Sequence, residues 1–384
     1  MPSPDRTAPG HPGRLAVALD VLPMLGSPTG VGGMCGLLLR ELMGRPEVEL
    51  SGYAVGLHGR AARAVVPHGL RVRSLPVPTR VANGIWSYFR VPNAEIVAPG
   101  AAVVHGTNFV VVPPGRKGAV VTVHDLTAWR WPELCSRTSL AYPRLLRRAL
   151  EAGAFVHTPS RFVAAEVMAL TGAPASRVRA IAWAPSPEWG SGRSLGAATF
   201  RVPSPYVLAI GTIEPRKDYP SLVRAFSDLA GDRPGLHLVI AGSDGWGAAA
   251  LGQAIEASGV SSRIIRLGYV DEPTRVSLLE GASLLAYPSL YEGFGVPPLE
   301  AMALGVPVVT TTAGAIPEVV GDGAVTVSPG DPDSLAEGIA HVIDDPAFRS
   351  ELISRGLVNA ERYSWSRTGD AMVQLYRDAD AGHG

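Results

Sequence analysis

The feature that most constrains the fold is a recurring alternation. Short, continuous Val/Ile/Leu runs are separated by longer stretches with helical periodicity. The runs are LAVALDVL (15–22), VELSGYAVGL (48–57), RVRSLPV (71–77), AVVHG (102–106), AVVTVHD (119–125), AFVHTPS (154–160) and VRAIAWA (178–184). After a break they resume with YVLAIGT (206–212), LHLVIAG (236–242), RIIRLGYV (263–270), SLLAYPS (283–289), VPVVTTT (306–312) and AVTVSPG (324–330). Between them the pattern predicts helices over 31–44, 137–152, 160–171, 219–230, 246–258, 273–281, 298–304 and 332–343. Strands apolar on both faces, alternating with helices, predict parallel sheets covered on both sides. The break, PSPEWGSGRSLGAATFRVPSP (185–205), has linker composition and no apolar period. The chain therefore reads as α/β, with two doubly wound domains at 14–190 and 200–362 facing across a cleft. In such sheets ligands bind outside the carboxyl ends of the strands.

Composition narrows the function classes. At 384 residues, 46% hydrophobic and 18% charged, the chain has ample core for two folded domains. Lys+Arg and Asp+Glu both number 34, so net charge argues for no nucleic-acid partner. Cys35 and Cys135 have no metal-like spacing and suit a reducing cytoplasm. The run LAVALDVLPML is interrupted by Asp20 and lacks a basic lead, so it reads as a strand and not as a secretion signal. No window approaches the roughly 18 apolar residues of a membrane span. The expected location is cytoplasmic.

The stretch YEGFGVPPLE (291–300) places two glutamates eight positions apart around a segment that cannot be continuous helix. Pro297 and Pro298 suit a first helical turn, and Gly305 suits its end. Amides of Gly293, Phe294, Gly295 and Val296 make an anion site at that helix start. A carboxylate accepts two hydrogen bonds well from a vicinal diol, so Glu300 is expected to hold a ribose and Glu292 a hexose, with the loop facing a diphosphate. A Gly/Pro turn with a capping glutamate fits the same spacing. GTIEPRKD (211–218) puts Arg216 and Lys217 at a strand's carboxyl end, where two cations fit a diphosphate and also fit a solvated turn.

In the first half, PTGVGGMCG (28–36) is glycine-rich after the first strand, but Gly30, Gly32 and Gly36 do not space as a dinucleotide fingerprint. This counts against a nicotinamide-dependent oxidoreductase. TVHDLTAWRWPE (122–133) ends a buried run in His124 and Asp125, followed by Trp129 and Trp131, which can pack a sugar or serve as core. YPRLLRRAL (142–150) and WSYF (86–89) carry the ingredients of weak peripheral membrane contact, although a solvated helix face with ordinary packing is the expected reading.

With these motifs in hand, YPSLYEGFGVPPLEAMALGVPVVTTTAGAIPEVVGDGA (287–324) resembles the most characteristic segment of the family 4 retaining glycosyltransferases, E-x7-E signature included. GTIEPRKD, AGSDGW, LGYVDE, TVHDL and VHTPSRF resemble their other motifs, and the likeness runs from about residue 14 to 376. The resemblance implies a GT-B fold of two Rossmann-like domains, with the donor held mainly by the C-terminal one. YSWSRTGDAMVQLYRDA, within 363–384, would be a last helix crossing back to the first domain. It implies transfer of a sugar from a nucleotide diphosphate sugar to a hydroxyl acceptor, with retention and with neither metal nor cofactor.

By matching positions the catalytic group is His124, Lys217 and Glu292. Donor contacts fall to Gly32, Arg216, Lys217, Gly242, Tyr269, Val270, Glu292, Gly293, Phe294, Gly295, Val296 and Glu300. Asn108, Asp125 and Trp129 are acceptor-side candidates. One departure stands out: Thr212 occupies a position where many members carry arginine. A catalytically silent sugar-binding homologue is the other reading of the same residues.

Overall fold

Each of the thirteen apolar runs contains a strand. The structure, a computed structural model, describes residues 13–25, 30–57, 61–135, 138–186 and 202–382. Most of the expected linker (187–201) lies outside the described residues. The chain forms two units. The first comprises residues up to Pro159, Val163–Ile181 and the chain from Trp365 onwards; the second comprises Ser160–Phe162 and Ala182–Ser364.

In the first unit β1 (Leu15–Asp20), β2 (Val48–Val55), β3 (Val72–Leu75), β4 (Val103–Gly106), β5 (Gly118–Thr122), β6 (Phe155–Thr158) and β7 (Val178–Ala180) form one sheet. Its order is β3-β2-β1-β4-β5-β6-β7, and every pair is parallel. The helices are α1 (Gly30–Met43), α2 (Ala62–Val65), α3 (Thr79–Trp86), α4 (Ala94–Val97), α5 (Thr127–Arg130), α6 (Tyr142–Glu151) and α7 (Arg161–Thr171).

The second unit holds β8 (Tyr206–Ile210), β9 (His237–Ala241), β10 (Ile264–Gly268), β11 (Leu284–Tyr287), β12 (Val308–Thr311) and β13 (Val325–Val327). Their order is β10-β9-β8-β11-β12-β13, again all parallel. Its helices are α8 (Tyr219–Ala230), α9 (Ala248–Ala257), α10 (Glu272–Glu280), α11 (Val296–Ala303), α12 (Ile316–Val320), α13 (Pro332–Asp344) and α14 (Pro346–Ala360). Strands β5, β8, β11 and β12 are buried at every residue, as sheets covered on both faces require. In both sheets the order reverses beside the first strand, at β1/β4 and at β8/β11. These reversals are the topological switch points at which such folds bind ligands.

The last helix, α15 (Trp365–Ala381), belongs to the first unit and packs on β4, β5 and α1. Through it a buried polar chain is closed. His157 Nε2 lies 2.9 Å from the Ile181 carbonyl, which only accepts, so Nε2 carries the hydrogen and Nδ1 accepts from the Thr122 hydroxyl at 2.9 Å. The Thr122 oxygen then accepts from His105 Nε2 at 2.8 Å, and His105 Nδ1 accepts from the Tyr376 hydroxyl at 2.8 Å. Burial holds both imidazoles below their ordinary range, His157 at about 4, so the chain is satisfied without charge.

Candidate functional site

The described chemistry of the second unit concentrates at the β8/β11 switch point. Strand β8 ends at Ile210, and Pro215–Lys217 makes one 3-10 turn that turns Lys217 inward and buries it. Strand β11 ends at Tyr287, and the loop after it carries Glu292. Two bonds tie these loops together: Leu290 N–H to the Arg216 carbonyl (2.8 Å) and the Arg216 guanidinium to the Tyr291 carbonyl (2.8 Å). Lys217 Nζ meets Glu292 Oε1 at 2.6 Å and Tyr287 Oη at 2.5 Å. Tyr287 also donates to Glu292 Oε1 at 2.9 Å, and Arg216 Nη1 lies 2.7 Å from Glu292 Oε2.

Burial alone would push Glu292 up. Arg216 and Lys217 outweigh it and hold the carboxylate at about 2. Burial lowers Lys217, with Glu292 opposing and Arg216 reinforcing that shift. Arg216 and Lys217 are matched in number by Glu292 and Glu214, and Glu214, 3.5 Å from Arg216, makes the longer contact. An anion such as a diphosphate can take the place of Glu214 at Arg216 without breaking the shorter contacts to Glu292.

The loop around Glu292 depends on Gly314, whose φ is +60°. A Cβ there would lie 2.4 Å from the Glu292 carbonyl, which accepts from Ala315 N–H at 2.9 Å. Gly293 and Phe294 are buried, and Gly295 precedes α11 with φ +110°. Val296 opens that helix, with prolines at the next two positions. Pro297 and Pro298 have no N–H, so the helix start offers fewer amides than an ordinary N-terminus.

Glu300 sits on α11 and is only 1% exposed. Its Oε1 lies 3.1 Å from Arg275 of α10, while Oε2 is buried with no hydrogen-bond partner. Burial pushes this carboxyl up to about 7, and Arg275 offsets part of that. Gly242, at the end of β9, has a packing role: a Cβ would fall 1.9 Å from the Gly211 carbonyl. Tyr269 is exposed and Val270 half-buried just past β10, in the loop that leads to α10.

In the first unit, His124 lies two residues past β5. Its Nε2 donates to the Thr107 carbonyl at 3.0 Å, and burial holds it below the ordinary imidazole range. The ring meets Phe109 edge to face at 5.7 Å, and Phe109 stacks on Tyr142 at 4.7 Å. Asp125 accepts from Thr127 N–H (2.9 Å), which shapes the start of α5, and the Trp129 indole N–H is buried without a partner. Asn108 pairs with Val110 in an isolated bridge around Phe109. The structure therefore brings together Asn108, His124 and their aromatic neighbours. Gly32 does not sit in a loop: the described part of the 28–36 segment, from Gly30, is helix α1, and Gly32 is buried within it.

Over residues 197–357 the chain matches the family described as Glycosyl transferases group 1. It is 33% identical over 284 residues to the O-antigen chain mannosyltransferase B of Escherichia coli, covering 72% of this chain and 74% of that relative. The chain belongs to the group 1 glycosyl transferases. It is also 34% identical over 180 residues to the D-inositol 3-phosphate glycosyltransferase of Mycolicibacterium paratuberculosis, 45% of this chain and 40% of that protein. Among solved structures, WaaG, a glycosyltransferase involved in lipopolysaccharide biosynthesis, matches with TM-score 0.74 at 15% identity, covering 94% of this chain and 99% of that one. Sucrose-phosphate synthase from Thermosynechococcus elongatus matches with TM-score 0.69 at 19% identity, covering 95% and 98%. At these identities the structures establish the fold, which is GT-B.

For this glycosyltransferase, sequence reasoning missed three parts of the site. Tyr287 ends strand β11, as the apolar run predicts, but nothing in that run shows that its hydroxyl is shared by Lys217 and Glu292. Arg275 reaches Glu300 from another helix, with no local signal. Gly314 was legible as a glycine between alanines in TTAGAIPE, but not as the support of Glu292. Among the described residues no helix is long and apolar enough to cross a membrane.

Proposed function

We propose that this glycosyltransferase is a retaining, family 4 enzyme. It moves a hexosyl group from a nucleoside-diphosphate sugar to a hydroxyl acceptor, with no bound metal required. The observation that carries the reading is the cluster at the β8/β11 switch point in which buried Lys217 and half-buried Arg216 hold Glu292, the first glutamate of the E-x7-E segment. The bond from the anomeric carbon to the diphosphate oxygen breaks, and charge builds on that oxygen. Arg216 and Lys217 stabilise it where a metal would otherwise be needed. Stabilisation of this type contributes on the order of several kcal/mol.

The acceptor oxygen bonds to the anomeric carbon on the face the diphosphate leaves, and its proton passes to the departing diphosphate. Glu292, held ionised by its two cations, accepts hydroxyl hydrogen bonds of the hexose. Glu300 Oε2 is an orphan acceptor suited to a ribose hydroxyl, which reaches it only when the covering side chains shift. The place of His124 at the reacting centre rests on the family resemblance. Its neutral state suits hydrogen bonding to a sugar better than ion pairing.

The test is ligand-induced thermal stabilisation with UDP, GDP, dTDP, ADP and NAD, each with EDTA, followed by turnover with the matching sugar nucleotides. A mannosyl donor comes first because of the mannosyltransferase relative. A ligand at about 100 times its Kd stabilises by about 2.7 kcal/mol. A shift with one diphosphate and product of retained configuration in EDTA is expected. A response to NAD alone, inverted product, or turnover only with added metal would each overturn part of the reading.

A further inference from the structure

We propose that the first unit carries a docking surface for anionic lipid membranes, built from α6 and the segment 79–97. The two stretches are separated by more than forty residues in the chain, and the fold joins them. Arg144 of α6 lies over the Tyr88 ring, 5.1 Å from its centroid, and donates to the Tyr88 hydroxyl at 2.7 Å. Arg148 donates to the Tyr88 carbonyl at 3.1 Å, and α3 packs against α6. This fixes the turn after α3 beside the basic face of α6. Arg144 and Arg147 are exposed, three positions apart on one stripe, while Leu145, Leu146 and Ala149 hold the helix to the core.

The turn itself is unusual for a surface facing only water. Tyr88, Phe89 and Val91 are 66%, 63% and 57% exposed, and Val81 and Leu140 are exposed nearby in sequence. Consecutive large apolar side chains outside the core mark an interaction site. Charge names the partner. The chain as a whole is neutral, yet 79–97 and 138–151 carry five arginines (80, 90, 144, 147 and 148) against Glu95 and Glu151. The balance stays positive with both acids ionised: Glu151 pairs with Arg148, and Glu95 accepts from Arg116 N–H.

Arginines flanking exposed aromatic and aliphatic side chains suit a lipid interface, where headgroup phosphates meet the cations and acyl chains meet the apolar groups. A nucleic acid would use aromatic faces for base stacking. Here Arg144 already covers a face of Tyr88, and Val81 and Val91 have no ring to offer.

The experiment is co-sedimentation of the full chain with large vesicles of phosphatidylcholine alone and of phosphatidylcholine with about a third phosphatidylglycerol, which supplies the anionic surface charge, at low and at physiological salt. Binding to the anionic vesicles only, weakened by salt, is expected. Each arginine near the surface contributes about fivefold in partitioning. Arg144→Glu with Arg147→Glu should therefore lower binding by more than tenfold. Phe89→Ser with Val91→Ser should lower it severalfold even at low salt. Arg147, Phe89 and Val91 are exposed, so their variants should match the parent protein in circular dichroism and melting temperature. Because Arg144 also holds Tyr88, Arg147→Glu alone is the control, and it should lower binding by about fivefold or more. No binding to anionic vesicles overturns the proposal. So does binding unchanged by the arginine pair, because the surface then lies elsewhere. Loss on charge reversal with no effect of the apolar pair overturns it as well, because the patch is then a general polyanion site.

Discussion

The two sheets share a strand order at their switch points and differ in how they carry charge there. At β8/β11 the second unit buries Lys217 and Glu292 beside half-buried Arg216, and the two cations hold Glu292 ionised at about 2. Beside β4 the first unit buries two imidazoles and keeps both neutral, threading them through Thr122 to Tyr376 and the Ile181 carbonyl. Desolvation likewise pushes Asp20, at the end of β1, to about 7, only partly offset by the Leu22 N–H. One topology thus supports two electrostatic designs. A site of buried, mutually held charges can respond to a charged ligand. A neutral chain of hydrogen bonds holds a core together and has nothing to exchange.

Removing Lys217 is the largest way to break that contrast. Lys217→Ala leaves Glu292 and Tyr287 without their shared partner, so turnover should fall by on the order of 100-fold. Stability should also fall by about 3 kcal/mol or more, since half of a buried pair is left behind. Steady-state kinetics and denaturant titration measure both, and near-normal turnover would remove the electrostatic account. Glu292→Gln sharpens it. The cations lose their counter-charge, so nucleoside diphosphate should bind at least as tightly, while sugar transfer falls by tenfold or more. Calorimetry and kinetics on the same variant separate the two.

The pH dependence should divide by unit. His157 sits at about 4 in the fold and near 6.5 when unfolded, so the unfolded chain binds the extra proton and stability falls as pH drops from 6.5 to 4. Glu292 is depressed, so its contribution is present above 4.5 and is lost as pH falls from 4.5 towards 2. Glu300 is raised and acts oppositely, adding stability as pH falls from 7 to 4.5. His157→Gln should flatten the first window by up to about 3 kcal/mol without changing diphosphate affinity. Altered affinity in that variant would show that the two designs are not separate.

The smallest expected effect is a control. Asp331 caps α13 by accepting from Ser334 N–H at 3.1 Å, and Asp331→Ala should lower the chemical-denaturation midpoint slightly while leaving turnover unchanged.

Much of this was legible in the letters because it is local. The thirteen strands follow from continuous apolar runs, the α13 cap from Asp331 before Pro332, and the start of α11 from its prolines. Among the described residues, six helices have no counterpart in the apolar pattern: α2, α3, α4, α5, α12 and α14, of which all but α14 are eight residues or shorter. Asp345–Pro346 is a start signal for α14, and it was hidden by running directly on from α13. The eight-residue α3 has no side-chain cap to mark its start, whereas the equally short α11 is marked by its prolines.

By itself, then, the sequence determined the α/β class, the two parallel sheets, the glycosyltransferase family and the glutamate and cation motifs, since each is written in neighbouring residues. Tertiary structure alone decided that Tyr287 joins Lys217 to Glu292, that Arg275 leaves one oxygen of Glu300 unmatched, and that Tyr376 completes a histidine chain begun 271 residues earlier. The physical reason is that burial and pairing set the charge state of these groups, and both depend on which distant segments the sheet order brings to one strand end.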